Sequence, residues 1–232
     1  MTALPFEALV ERVRRSAEDV HRRIEAAGGD PAVVRVLAVT KGQPAAAVRA
    51  AIEAGLIELG ESYVQELTAK ADELEAVPGG AEPRWHLIGR LQRNKVRAAA
   101  PYVDLWQTVD GLSLAAEVAR RAPGAEVLVQ VNVTGAPQQG GCAPDRVAAV
   151  VEGCGDVGLD VRGLMAIGPQ GADHDVRAGF RLLRDLADRL GLAERSMGMS
   201  GDLEAAVAEG STMVRIGTAL FGPRTGPGVV GK

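Results

Sequence analysis

A single (β/α)8 TIM barrel carrying an extra N-terminal helix is the α/β architecture this sequence predicts, and three observations predict it. Short apolar runs alternate with helix-patterned stretches eight times along the chain. None of the connections has hairpin length, so successive strands must run parallel. The run Val36-Leu37-Ala38-Val39 is apolar at consecutive positions, which suits a strand covered on both faces. A doubly wound open sheet satisfies the same alternation and stays as the alternative, because alternation alone does not say whether the sheet closes.

The elements follow in order. Phe6, Leu9, Val10, Val13, Ala17, Val20 and Ile24 recur at helical spacing, and Gly28-Gly29 ends that leading helix. The first strand is Val36 to Thr40. Pro44 opens a helix through Ile52, closed by Gly55, and Leu56 to Gly60 reads as the second strand. A helix over Val64 to Leu74 precedes a third strand at Arg84 to Gly89. A helix near Asn94 to Ala100 leads to the fourth strand, Val103 to Thr108, and the helix Leu112 to Arg121 to the fifth, Glu126 to Val133. Pro144 to Glu152 is helical, then Val161 to Ile167 is a strand. The long helix Asp175 to Leu190 precedes a weak seventh strand at Ser196 to Met199. Asp202 is positioned to cap a short helix through Ala208, before the eighth strand Met213 to Ile216. Residues 1–222 are expected to form one domain, and the Gly/Pro-rich segment 223–232 a disordered tail.

Bulk composition narrows the function classes. Hydrophobic residues make up 47% of the chain and charged residues 24%, ordinary values for a soluble globular protein. A net charge of −4 without a basic run, together with only 3% aromatics, argues against nucleic acid or an anionic membrane as partner. The longest apolar stretches are short of a membrane span, and the acidic N-terminus does not read as a signal peptide. Cys142 and Cys154 have no CxxC spacing and the three histidines no zinc spacing, so two free thiols in a cytoplasmic protein are expected, with no metal.

Chemistry is expected at the strand carboxyl ends, which a barrel gathers at one mouth. Lys41 follows the first apolar run. An amine there, half in apolar surroundings, loses hydration and becomes available as a nucleophile toward a carbonyl. A solvated charge ending a strand is the plainer alternative. Met197-Gly198-Met199-Ser200-Gly201-Asp202 and Ile216-Gly217-Thr218 place small residues after the seventh and eighth strands, where barrels frequently seat a phosphate. Arg215 interrupts an apolar strand and must be paired there, with Glu58 or Glu61 as a carboxylate partner or with a ligand ring nitrogen or anion. His86 either lines a cofactor face or sits satisfied in the core, and Met165 either underlies a ring or fills the barrel. Carbonyl-reactive lysine, phosphate seat and ring-facing donor together describe pyridoxal 5'-phosphate (PLP), the vitamin B6 cofactor.

The segments Val39-Thr40-Lys41, Gly60-Glu61-Ser62-Tyr63-Val64-Gln65-Glu66, Trp85 to Lys95, Gly163-Leu164-Met165 and Ser196 to Gly217 resemble, in family order across nearly the whole chain, the pyridoxal phosphate homeostasis protein family. That family is related to the barrel domain of alanine racemases. The resemblance implies an alanine-racemase N-terminal-domain-like barrel in which Lys41 holds PLP as a Schiff base. It further implies that Ser200, Gly217 and Thr218 hold the phosphate and that Arg215 faces the pyridine nitrogen. Ser62 stands where the family usually has Asn, so a contact from it is expected to be shorter or water-mediated. Thr40 replaces a common Ser, and the loop Thr134 to Gly141 lacks the Glu and Lys of similar proteins, so no role is expected for it.

Two classes of function remain in view. A non-catalytic carrier in PLP homeostasis, limiting free aldehyde, affecting amino-acid and keto-acid balance and passing PLP to apoenzymes as a monomer, is favoured. An amino-acid racemase needs a base on each ring face, and only Tyr63 and Tyr102 exist as tyrosines. A lysine aldolase acting on a phosphorylated substrate uses the same amine and phosphate seat without a cofactor.

Overall fold

The computed structural model describes residues 5–75 and 81–223, and the segment 224–232 of the expected tail lies outside the described residues. Eight parallel strands close into a barrel in sequence order. They are β1 (Arg35–Val39), β2 (Glu58–Glu61), β3 (Arg84–Leu87), β4 (Leu105–Val109), β5 (Glu126–Gln130), β6 (Asp160–Met165), β7 (Glu194–Ser196) and β8 (Met213–Ile216). β1 pairs with both β2 and β8, which closes the ring and removes the open-sheet alternative.

Helices α1 (Phe6–Ala26), α2 (Ala45–Glu53), α3 (Val64–Glu75), α4 (Arg93–Ala99), α5 (Leu112–Arg121), α6 (Val147–Asp156), α7 (Asp173–Arg189), α8 (Leu203–Ala208) and α9 (Thr218–Phe221) surround the barrel. The extra helix α1 buries Val13, Ala17, Val20 and Ile24, the stripe its spacing predicts, and packs on α2, α8 and α9. Apolar burial of this kind, at roughly 25 cal/mol per Å², stabilises each helix against the sheet far more than its own propensity does.

Strand parity separates two cores. Val36, Ala38, Leu59, Trp85, Trp106, Val127 and Val129 face the helices. Leu37, Leu105, Leu128, Met165 and Met213 fill the barrel interior, with Ile88 and Ile167 packed above them. Because side chains alternate with period two, Val39 and Lys41 follow Leu37 toward the barrel axis while Thr40 turns outward. Arg215 is the register partner of Leu37 and so shares its inward face.

Most strand boundaries shift by one or two residues from the sequence expectation, and two larger shifts and one cap have a local reason. The seventh strand ends at Ser196, not Met199, because Gly198 adopts φ 95°, which breaks an extended run. β5 ends at Gln130, since Val131 bridges to Cys142 and Asn132 Oδ1 accepts the Thr134 and Gly135 N–H groups, starting a turn. Asp202 does not cap α8 with its side chain: Oδ1 accepts the Met199 N–H and closes the turn before the helix.

Among the described residues no helix is long and apolar enough to cross a membrane. Cys142 and Cys154 are buried free thiols, and burial pushes each up to about 11. Both therefore remain protonated and unreactive at neutral pH.

Candidate functional site

One cavity of about 230 Å³ opens at the carboxyl ends of β1 and β8. It is lined by Val39, Lys41, Ile88, Ile167, Met199, Ser200, Gly201, Arg215, Gly217 and Thr218. Five of the eight expected site residues, Lys41, Ser200, Arg215, Gly217 and Thr218, thus converge from the first and seventh βα connections and from β8 with the turn that follows it. Ile88 and Ile167 form an apolar wall, seated on the interior cluster that contains Met165. Lys41 is half-buried, as are Ser200 and Gly217, and Thr218 is exposed.

The small residues matter sterically. A Cβ at Gly217 would lie 3.3 Å from the Val39 carbonyl oxygen, while one at Gly201 would meet nothing, so backbone lines this wall closely on one side and openly on the other. Ser200 Oγ accepts the Ala219 N–H at 3.3 Å, tying the loop after β7 to the start of α9. The donor set of hydroxyls, glycine backbone and one guanidinium suits a phosphate-bearing aromatic ligand.

Arg215 corrects the expectation of a carboxylate partner. Neither Glu58 nor Glu61 reaches it. Its Nη1 donates to Ser196 O at 2.7 Å and Ser196 Oγ at 2.9 Å, and Nη2 donates to Ala166 O at 2.7 Å. These bonds use three of five N–H groups and fix the fork in the pocket wall. Burial lowers its pKa to about 10, against the pull of Asp202, so the guanidinium is still protonated at neutral pH and acts only as a donor.

Behind Arg215 a polar chain crosses the barrel interior. Ser196 Oγ donates to Gln107 Oε1 at 2.7 Å, Gln107 Nε2 meets His86 Nδ1 at 2.7 Å, and His86 Nε2 lies 2.5 Å from Glu58 Oε2. His86 is wholly buried in this chain and does not line the cavity. Met165 likewise fills the interior below it. Ser62 lines a separate cleft with Tyr63, Gln65, Arg90 and Lys95. Its backbone presses so closely on Gly89 that a Cβ there would sit 2.0 Å from Ser62 O. A larger cleft, about 950 Å³, lies between α7 and the 133–140 loop and holds none of the expected site residues.

Burial opposes ionisation of Glu58, but contacts with His86, Arg35 and Arg84 outweigh it and hold the carboxyl below its usual 4.5. A depressed folded-state pKa contributes stability that is present above 4.5 and lost as pH falls through the folded value. Glu58→Gln is therefore expected to flatten the acid limb of the stability curve below pH 4.5, followed by circular dichroism. An acid limb as steep as the wild type's would show that another group carries it.

Sequence reasoning passed over Gln107, Lys70 and Glu66. A signal existed for two of them: Gln107 breaks the apolar run Leu105-Trp106-Gln107, and Lys70 falls on the helical stripe of Val64 and Leu67. Lys70 Nζ donates to Thr40 O at 2.8 Å, Glu61 Oε1 at 2.6 Å and Glu66 Oε2 at 3.2 Å.

The fold and cavity define a class: small-molecule-binding parallel barrels with an amine in the wall of the mouth. The chain belongs to the alanine racemase N-terminal domain family, whose model matches residues 16–225, and within it to the pyridoxal phosphate homeostasis proteins. It is 43% identical to the pyridoxal phosphate homeostasis protein of Pseudomonas aeruginosa over 94% of this chain and 97% of that one. The protein of the same name from Aquifex aeolicus is 38% identical, over 92% of this chain and 97% of the other. Among solved structures, PipY of Synechococcus elongatus with PLP bound superposes with a TM-score of 0.74 at 35% identity, covering 88% of this chain and all (100%) of that one.

Proposed function

We propose that this chain is a PLP carrier acting in intracellular PLP homeostasis rather than an enzyme. The observation that carries the reading is the single cavity where Lys41, Arg215, Ser200, Gly217 and Thr218 meet. Bound PLP supplies an aldehyde that a neutral amine captures covalently. Lys41 is that amine. Ser200, Gly217 and Thr218 seat the phosphate, and Arg215 holds the ring nitrogen as a donor that does not surrender its proton. A ring kept neutral in this way is a poor electron sink, so the pocket binds without strongly activating.

The same lining disfavours the racemase reading. Apart from Lys41, the only titratable lining group is Arg215. Tyr102 donates its hydroxyl to Asp72, and Tyr63 lines the neighbouring cleft. Racemisation needs a second proton carrier facing the first, and the described lining holds none. The names of the relatives, homeostasis proteins, favour the carrier as well. His86 and Met165 support the pocket from below, and Ser62 reaches a ligand only through water. We also place the chain in the cytoplasm, as a monomer that hands PLP to apoenzymes, which light scattering and transfer to an apo-aminotransferase would check.

Purified protein incubated with PLP is expected to gain a visible absorption band, and borohydride is expected to fix a mass adduct on the Lys41 peptide. A colourless protein with no adduct overturns the reading and leaves the phosphate-substrate aldolase. Conversion of L-alanine to D-alanine at enzymatic rates overturns the non-catalytic part.

A further inference from the structure

Lys41 sits between two residues that are anchored from the opposite side of the sheet. Thr40, wholly buried, donates its hydroxyl to Glu61 Oε1 at 2.6 Å, and its carbonyl accepts from Lys70 Nζ at 2.8 Å. Gly42, at φ 70°, donates its N–H to Glu66 Oε2 at 2.7 Å. Lys70 joins the two carboxylates, bonding Glu61 at 2.6 Å and Glu66 at 3.2 Å. The cluster lies in the layer between β2 and α3, with side chains 9%, 0% and 17% exposed for Lys70, Glu61 and Glu66.

We propose that Lys70, Glu61 and Glu66 form a buried bracket that positions Lys41; the role rests on Lys41 being the cofactor-binding amine. A helix-to-strand contact in a barrel needs no ions, and apolar residues of similar volume pack there at lower desolvation cost. What these ions do instead is geometric. Two charge-assisted bonds hold the backbone on either side of Lys41, at Thr40 O and Gly42 N–H, and a third holds the Thr40 hydroxyl; past the end of β1 at Val39 they add to the Thr40 N–H bond to Gly60 O and the turn bond from Gln43 N–H to Thr40 O. The glycine at position 42 takes a left-handed turn whose N–H the Glu66 carboxylate ties back to α3. Glu61 also stands as an incompletely satisfied group. Its Oε2 has no partner among the described residues, and burial raises its pKa despite Lys70. Such a group is retained more readily where it orients a reacting neighbour than where it only fills space.

The test reads Lys41 directly, without cofactor. The chain has four lysines, Lys41, Lys70, Lys95 and Lys232. Limiting acetic anhydride followed by peptide mass spectrometry gives the acetylation rate of Lys41 relative to Lys95 on α4. Glu66→Ala, which frees the Gly42 N–H, and Lys70→Met, which removes the ammonium donor from Thr40 O and leaves it the Gln43 N–H, are each expected to change that ratio by roughly tenfold. Glu66→Gln keeps an acceptor for Gly42 and is expected to restore the wild-type ratio. PLP uptake, followed by the visible band, is expected to slow in the same two variants that alter the ratio. Thermal melts identify a variant that has unfolded, and Glu61→Gln, isosteric and neutral, then replaces it in the comparison. Ratios equal to wild type in folded variants overturn the bracket. A wild-type chain that takes up no PLP defeats the cofactor reading, and the acetylation ratios still decide the bracket.

Discussion

Lys41→Ala is expected to abolish covalent capture of PLP: no visible band, and no borohydride-fixed adduct on the 41-containing peptide. The expectation follows from the lining of the cavity, where Lys41 is the one lysine present. Lys70 does not substitute for it. Its Nζ is committed to Thr40 O, Glu61 and Glu66 on the far side of the β1 end, in the layer that faces α3. The variant is expected to fold, because the backbone around position 41 is anchored through Thr40 and Gly42. Far-ultraviolet circular dichroism separates loss of the amine from loss of the barrel. A folded Lys41→Ala protein that still carries a borohydride-fixed adduct would move the reactive amine to another lysine.

Arg215→Met is expected to cost about 1–3 kcal/mol of stability, since the Ala166 carbonyl at the barrel mouth loses its donor, while the Ser196 carbonyl keeps the Ala166 N–H at 3.1 Å. Methionine fills much of the stem volume and carries no charge to bury, so the cost comes from the orphaned Ala166 carbonyl. Arg215→Lys keeps the charge but lacks the fork that reaches Ser196 and Ala166 together, and it is expected to rescue little. Urea unfolding measures both variants, and the same proteins report PLP affinity. Stability unchanged in Arg215→Met would mean that water replaces the guanidinium at the Ala166 carbonyl, and the arginine would then serve the ligand alone.

The two halves of the site were unequally legible. Lys41, Ser200, Gly217 and Thr218 could be read because each lies just past an apolar run or in a glycine-containing turn, and a closed parallel barrel brings all such positions to one rim. Arg215 was legible as an anomaly, a charge inside an apolar strand, but its partners were not. Which groups stand opposite it depends on the pairing of β6, β7 and β8, and the structure supplies Ala166 and Ser196, main-chain acceptors with no side-chain signature. His86 illustrates the reverse failure. It lies on a motif-bearing strand and faces inward as an active-site histidine would, yet it sits one layer below the cavity, between Gln107 and Glu58. Depth along a strand is fixed by the stagger of neighbouring strands, which a single segment does not encode.

By itself the sequence determined the class of the fold, the order of its elements, the amine at the end of the first strand and the glycine-containing turns after the last two. These are local properties: period-two and period-3.6 patterning and the backbone freedom of glycine act within a few residues. Only the tertiary structure decided that the sheet closes, that Arg215 rests on carbonyls, and that Lys70 reaches across to Thr40 beside Lys41. Each of those depends on contacts between residues distant in sequence, whose distances are set by how strands and helices pack and not by what any one stretch prefers.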